Sequence, residues 1–280
     1  MGRFCPTAKG NNSAGRNTGH ASFWPWRGFA VADKSTLSQS FIKHGAVMTA
    51  EEKLELLFLH ALPLDGTMWA EQKRLLPGAT YTPTLYPLGG DIEAWAATAL
   101  QLVKGNRVVV VGCSVGGSCA LELAVAAPER VAALVLIGTK ARHRPDPALL
   151  VSALETLREK GLEEAWKMFW LPLFSQSTNA QIISGAKRIA LRQSPLDIAR
   201  GVTAFHSRPD RDKFLSGFPR PTIIITGADD SAPGVTMSAA QANSAQYGRL
   251  FVVPECGHYV PLEQPEYLNS ILRHVIASLR

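Results

Sequence analysis

Ser114 stands between small residues in Gly112-Cys113-Ser114-Val115-Gly116-Gly117, a match to G-x-S-x-G. A serine hydroxyl is almost wholly protonated at neutral pH, so it attacks a carbonyl only with a base beside it. Seven histidines are available, and His258 is the best placed of them. It lies in Pro254-Glu255-Cys256-Gly257-His258, directly after an apolar run at Leu250–Val253, and it follows the serine in chain order. His20 and His44 fall in the first 47 residues, His60 ends an early apolar run, His143 and His206 border a helical stretch, and His274 sits in the last amphipathic segment. An imidazole base needs an acid to hold its tautomer and stabilise the imidazolium. Thr226-Gly227-Ala228-Asp229-Asp230 offers two, Asp229 and Asp230, after another apolar run. The chemistry of such a set is acyl transfer through a covalent acyl-serine.

These residues need rigid supports. Arg107 precedes four consecutive valines, Val108–Val111, and then the serine turn. A β-branched run with no polar alternation suits a central parallel strand buried on both faces. Val115–Ala127 is rich in Ala and Leu and stops at Pro128, so strand, turn and helix follow one another at Ser114. The turn must be sharp and strained, which calls for small neighbours. It also puts the hydroxyl at a helix N-terminus, where developing negative charge is favoured.

Other segments repeat the alternation. Leu54–His60, Ala79–Tyr86, Val131–Ile137, Thr222–Thr226 and Leu250–Val253 read as strands. Met68–Leu76 and Ile92–Val103 read as helices, and Pro265–Leu279 as a surface helix with Leu268, Ile271, Leu272, Val275 and Ile276 on one face. The fold class is therefore α/β, a mostly parallel sheet with helices on both faces. The alternation breaks once, between 137 and 222, where residues 145–207 form a helical insertion over the C-terminal edge of the sheet. Ligands of open α/β sheets bind at that edge.

The motifs together resemble the α/β-hydrolase superfamily, from about residue 54 to the C-terminus. His60-Ala61-Leu62-Pro63-Leu64-Asp65-Gly66, the turn at Ser114, and Gly227-Ala228-Asp229-Asp230 with Gly257-His258 carry the resemblance, in the family's order. Arg208-Pro209-Asp210 through Pro219-Arg220-Pro221 is similar to the family's return from cap to core. The resemblance implies Asp230 as the acid, three residues after the strand-ending glycine. It implies an oxyanion hole from the backbone N–H groups of Val115 and Leu62; Pro63 has none to give. Ala61 replaces the family's usual glycine, and would be strained if the position needs a positive φ. His60 reads as a structural hydrogen bond to that loop. Trp166, Phe169 and Trp170 share one helical face of the insertion and are the candidate substrate-binding residues.

The implied activity is hydrolysis of small to medium carboxylic esters, with no metal and no cofactor. The same three residues serve lactonases and enol-lactonases, carbon–carbon bond hydrolases and cofactor-free haloperoxidases or perhydrolases, and a silent ligand receptor can use the same scaffold.

Charge and composition narrow the partners. The chain has 280 residues, 46% hydrophobic and 19% charged, with a net charge of +6. Residues 1–47 hold Arg3, Lys9, Arg16, Arg27, Lys34 and Lys43 against Asp33, which is +5 of that +6. The rest is near neutral and lacks the basic stripe of a nucleic-acid binder. No apolar run is long enough to span a membrane. Cys5, Cys113, Cys119 and Cys256 form no C-x-x-C pair and read as free thiols of a reducing compartment, so the expected location is cytoplasmic. The expected partner is a small-molecule ester, with neither nucleic acid nor membrane involved. Residues 1–47 read as a disordered or non-native extension before a start at Met48. Residues 48–144 and 208–280 form the core, and 145–207 the cap.

Overall fold

Six parallel strands organise the chain in a computed structural model that describes residues 53–280. The expectations for residues 1–47 lie outside the described residues. The strands are β1 (Leu54–Leu59), β2 (Thr80–Tyr81), β3 (Arg107–Cys113), β4 (Val131–Ile137), β5 (Thr222–Gly227) and β6 (Gly248–Val253). Their spatial order is β2-β1-β3-β4-β5-β6, and each neighbouring pair is parallel. The chain runs outward from β1 to β2, then crosses back past β1 to β3 and continues the other way. The strand order thus reverses beside β3, and a crevice opens there at the C-terminal ends. Val108–Val111 are fully buried, as a central strand requires.

Helices cover both faces. α1 (Ile92–Leu102) is capped by the Asp91 carboxylate, which accepts from Ala94 N at 2.7 Å. α2 (Val115–Ala126) begins at the serine turn and is buried from Val115 through Ala124. Between β4 and β5 come α3 (Pro147–Glu159), α4 (Gly161–Ala165), a π-helical turn at Trp166–Trp170, a 3-10 turn at Leu171–Leu173, α5 (Ala180–Leu191) and α6 (Pro195–Ser207). α7 (Asp212–Gly217) leads back to the sheet. The return is fixed by Arg211, which holds Glu122 of α2 through two bonds of 2.7 Å. α8 (Gly234–Ser244), α9 (Val260–Glu263) and α10 (Pro265–Ser278) complete the core, with Leu268, Ile271, Leu272, Val275 and Ile276 of α10 buried as expected. No helix among the described residues is long and apolar enough to cross a membrane.

Two local expectations are corrected. Met68–Leu76 is not one helix but two 3-10 turns, Gly66–Trp69 and Gln72–Leu75. The Asp65 side chain accepts from Thr67 N at 2.9 Å, which tightens the first turn and spends the local donors. The strand expected over Ala79–Tyr86 shrinks to Thr80–Tyr81. Pro83 has no N–H, and Leu85 N–H is used by His60, so the segment cannot continue a ladder.

Candidate functional site

Ser114 has φ 55° and ψ −117°, a left-handed backbone that a non-glycine residue adopts only under constraint. The constraint is visible. Ser114 N donates to Ile137 O of β4 at 2.8 Å, and Thr139 Oγ1 donates to Ser114 O at 3.1 Å. Side chains at Gly112 or Gly116 would collide with the Gly116 carbonyl and the Leu59 carbonyl respectively, so the small residues of the motif are sterically required. The turn leaves the hydroxyl in a cavity of about 330 Å³ at the C-terminal edge of the sheet.

His258 lines that same cavity. Its Nδ1 lies 3.1 and 3.0 Å from the two carboxylate oxygens of Asp230, and both side chains are buried. Asp230 Oδ1 also accepts from Ala232 N at 2.9 Å, which orients the carboxylate independently of the histidine. Bonding at Nδ1 leaves Nε2 as the free ring nitrogen. Ser114 Oγ makes no direct hydrogen bond to the imidazole in this structure; the two share the cavity wall, and such bonds tighten on substrate binding. Asp229, the other aspartate of the pair, is exposed and accepts from Ser175 Oγ at 2.5 Å.

The loop carrying the histidine is held by Glu263, a residue without a sequence signature. Its buried carboxylate accepts from Gly257 N and Tyr259 N on either side of His258, and from Ser175 N in the cap, each at 2.9 Å. Thr178 Oγ1 adds a fourth bond. Gly138 also escaped the sequence reading. It has φ 56° and lies so close to the imidazole that a Cβ there would stand 2.8 Å from Cε1 and Nδ1.

Val115 opens α2, so its N–H has no intrahelical acceptor and faces the turn. Leu62 lines the cavity opposite, its carbonyl fixed by Tyr259 Oη at 3.1 Å, and a cis bond joins it to Pro63. Ala61 is not among the residues with positive φ, so alanine is unstrained there. His60 is fully buried, its Nε2 accepting from Leu85 N at 2.8 Å and its Nδ1 3.1 Å from Ala61 O. Burial pushes its pKa down to about 4. Both ring nitrogens are committed, so His60 braces the loop and cannot act as a base.

The three cap aromatics separate. Phe169 and Trp170 line the cavity, their rings edge to face at 6.2 Å. Trp166 is not in that lining. It is 1% exposed and packs on Phe174, ring centroids 5.9 Å apart, at the start of a π turn that departs from the α-helical spacing. Cys113, Cys119 and Cys256 are buried free thiols, and burial pushes all three pKa values up. Among the described residues no cluster of His, Cys, Asp or Glu could hold a metal ion.

The sequence profile of the alpha/beta hydrolase family matches residues 56–271. The chain belongs to this family. It is similar to a putative carbamate hydrolase, RutD, of Rhizobium rhizogenes, with 26% identity over 76% of this chain and 89% of the relative. It is similar to a 2-hydroxy-6-oxononadienedioate/2-hydroxy-6-oxononatrienedioate hydrolase of Burkholderia vietnamiensis, with 27% identity over 63% of this chain and 64% of that one. A thermophilic esterase from Thermogutta terrifontis, solved with malate bound, superposes with a TM-score of 0.73 at 26% identity, covering 81% of this chain and 90% of the esterase. In this hydrolase family member Ser114 and His258 share one cavity, and Asp230 stands outside its lining, bonded to His258 Nδ1.

Proposed function

We propose that this alpha/beta hydrolase cleaves small carboxylic esters through an acyl-enzyme on Ser114. The observation that carries the reading is the left-handed Ser114 at the mouth of α2, sharing a cavity with a His258 whose Nδ1 is bonded to Asp230. In this reading His258 Nε2 takes the Ser114 proton as Oγ attacks the ester carbonyl. The Val115 and Leu62 N–H groups hold the oxyanion, donors of a kind typically worth about 3 kcal/mol of barrier each. His258 then protonates the departing alcohol. It next removes a proton from water, which attacks the acyl-serine and releases the acid. Asp230 fixes the tautomer and stabilises the imidazolium throughout.

The cavity of about 330 Å³ sits at the lower end of ligand-site sizes, which supports a small acyl group. Phe169 and Trp170 form its apolar wall. The esterase among the similar structures supports an ester, while the relatives named as carbamate and oxo-dioate hydrolases keep other carbonyl substrates in view. Hydrolysis of 4-nitrophenyl acetate and butyrate by the native chain and by Ser114→Ala tests the reading. Turnover is expected from the former and not the latter. An active alanine variant would overturn the mechanism.

A further inference from the structure

Arg208 brings a charge that makes no ion pair among the described residues to the cavity that Ser114 faces. It is 8% exposed and lines the same cavity. Its guanidinium lies 3.9 Å from the Phe205 ring centroid, and Nη1 donates to the Phe205 carbonyl. Nε is buried without any acceptor, and among the described residues no carboxylate reaches the guanidinium. Asp210, close in sequence, spends its carboxylate on His143 N and Asp212 N instead. A guanidinium offers five donors in a planar fork, and here only one finds a protein acceptor.

The lining itself carries only basic ionisable groups, while Asp210 lies outside it and close enough to favour the charged Arg208. Lys140, His206 and His258 also line the cavity, and no aspartate or glutamate does. Burial lowers the Arg208 pKa to about 10, which leaves it charged at neutral pH. Burial first, and then Arg208, push the His143 and His206 pKa values down. The remaining wall is apolar, with Leu62, Val202 and Phe169. A buried cation without an ion-pair partner in such a wall is costly, and a bound anion reduces that cost. A carboxylate matches the fork in shape as well as charge.

We propose that Arg208, assisted by Lys140, is a carboxylate-binding subsite, and that the ester hydrolysed is a half-ester of a short dicarboxylic acid. The small cavity favours one short chain that carries both the scissile carbonyl and the free carboxylate. Water and the half-ester give the dicarboxylic acid and the alcohol; Arg208 holds the free carboxylate through acylation and deacylation and exchanges no proton. This rests on the ester-hydrolase reading of Ser114, so binding and turnover are measured separately.

Calorimetry of monomethyl adipate with Ser114→Ala reads the subsite without chemistry. Binding is expected, weakened at least tenfold by Arg208→Gln in that background, largely retained by Arg208→Lys, and weakened by added salt. Turnover compares mono-4-nitrophenyl adipate with 4-nitrophenyl hexanoate, which has the same chain length. The native chain is expected to favour the half-ester at least tenfold in kcat/KM, and Arg208→Gln to abolish that ratio. Lys140→Gln, at a more exposed position, lowers the ratio too and supplies the test if the buried substitution does not fold. Equal binding with and without Arg208, or a native preference for the neutral ester, overturns the subsite. Intact binding with neither ester turned over fails the hydrolase reading alone.

Discussion

Gly138 leaves the imidazole of His258 no room for a side chain beside it: a Cβ on Gly138 would stand 2.8 Å from both Cε1 and Nδ1, and 3.2 Å from Asp230 Oδ2. The glycine ends β4 with φ 56°, so alanine meets two obstacles there. The left-handed backbone costs about 1–2 kcal/mol. The methyl also displaces the imidazole, and displacement by an ångström costs about 100-fold in rate. Gly138→Ala is therefore expected to fold with a modestly lowered Tm and to lose about 100-fold in kcat/KM, measured by ester hydrolysis and thermal melting on the same sample.

The two adjacent aspartates should separate cleanly. Asp230→Asn keeps the shape but presents an amide to Nδ1 and favours the wrong tautomer, for a loss of about 10⁴ in kcat. Asp229 faces out and bonds Ser175, so Asp229→Asn is expected to change rate by no more than about threefold, the scale of a surface substitution. Equal losses at the two positions would remove the assignment of the acid.

His60 supplies a pH dependence of stability. Its folded pKa is about 4, against an ordinary 6.5, because burial disfavours the charged ring. The unfolded chain then binds this proton more readily, so stability is full above pH 6.5 and falls as pH drops towards 4. The shift amounts to about 3 kcal/mol across that window. Tm measured from pH 7.5 to 4 should fall more steeply for the native chain than for His60→Gln, which has no group to titrate there. Parallel curves for the two proteins would contradict it.

The cap aromatics should divide by role. Trp166→Ala removes a fully buried indole from Phe174 and is expected to cost about 3–5 kcal/mol of stability with acyl-chain preference unchanged. Phe169→Ala or Trp170→Ala opens the cavity wall instead, and should shift preference towards longer acyl chains. Melting curves and a C2-to-C8 ester series distinguish the two effects.

The readable parts of this molecule are those whose signal is local. Four valines need burial on both faces, and the small residues around Ser114 need a tight turn; each requirement is written within a few residues. Leu85 shows the opposite case. Its segment looks like a strand until the N–H is given to His60, 25 residues earlier. The π turn at Trp166–Trp170 likewise breaks the helical spacing that put Trp166 on the substrate face. Gly138 and Glu263 gain their importance from segments distant in sequence and sit in no motif, while Arg208 reads in the sequence only as part of the return from cap to core, with no sign of its place in the cavity wall.

Glu263 has a mechanical consequence. Its carboxylate ties Ser175 and Thr178 of the cap to the loop of His258, while Leu173 O takes His258 N and Asp229 takes Ser175. One seam thus joins the cap to the loops that carry His258 and Asp229. A cap motion that preserves these bonds must pivot about residues 173–178 and open on the far side. A motion that breaks them releases the imidazole from its register. In the proposed reaction, admission of substrate and readiness of the base are geared together through this seam, with the Glu263 carboxylate at its centre.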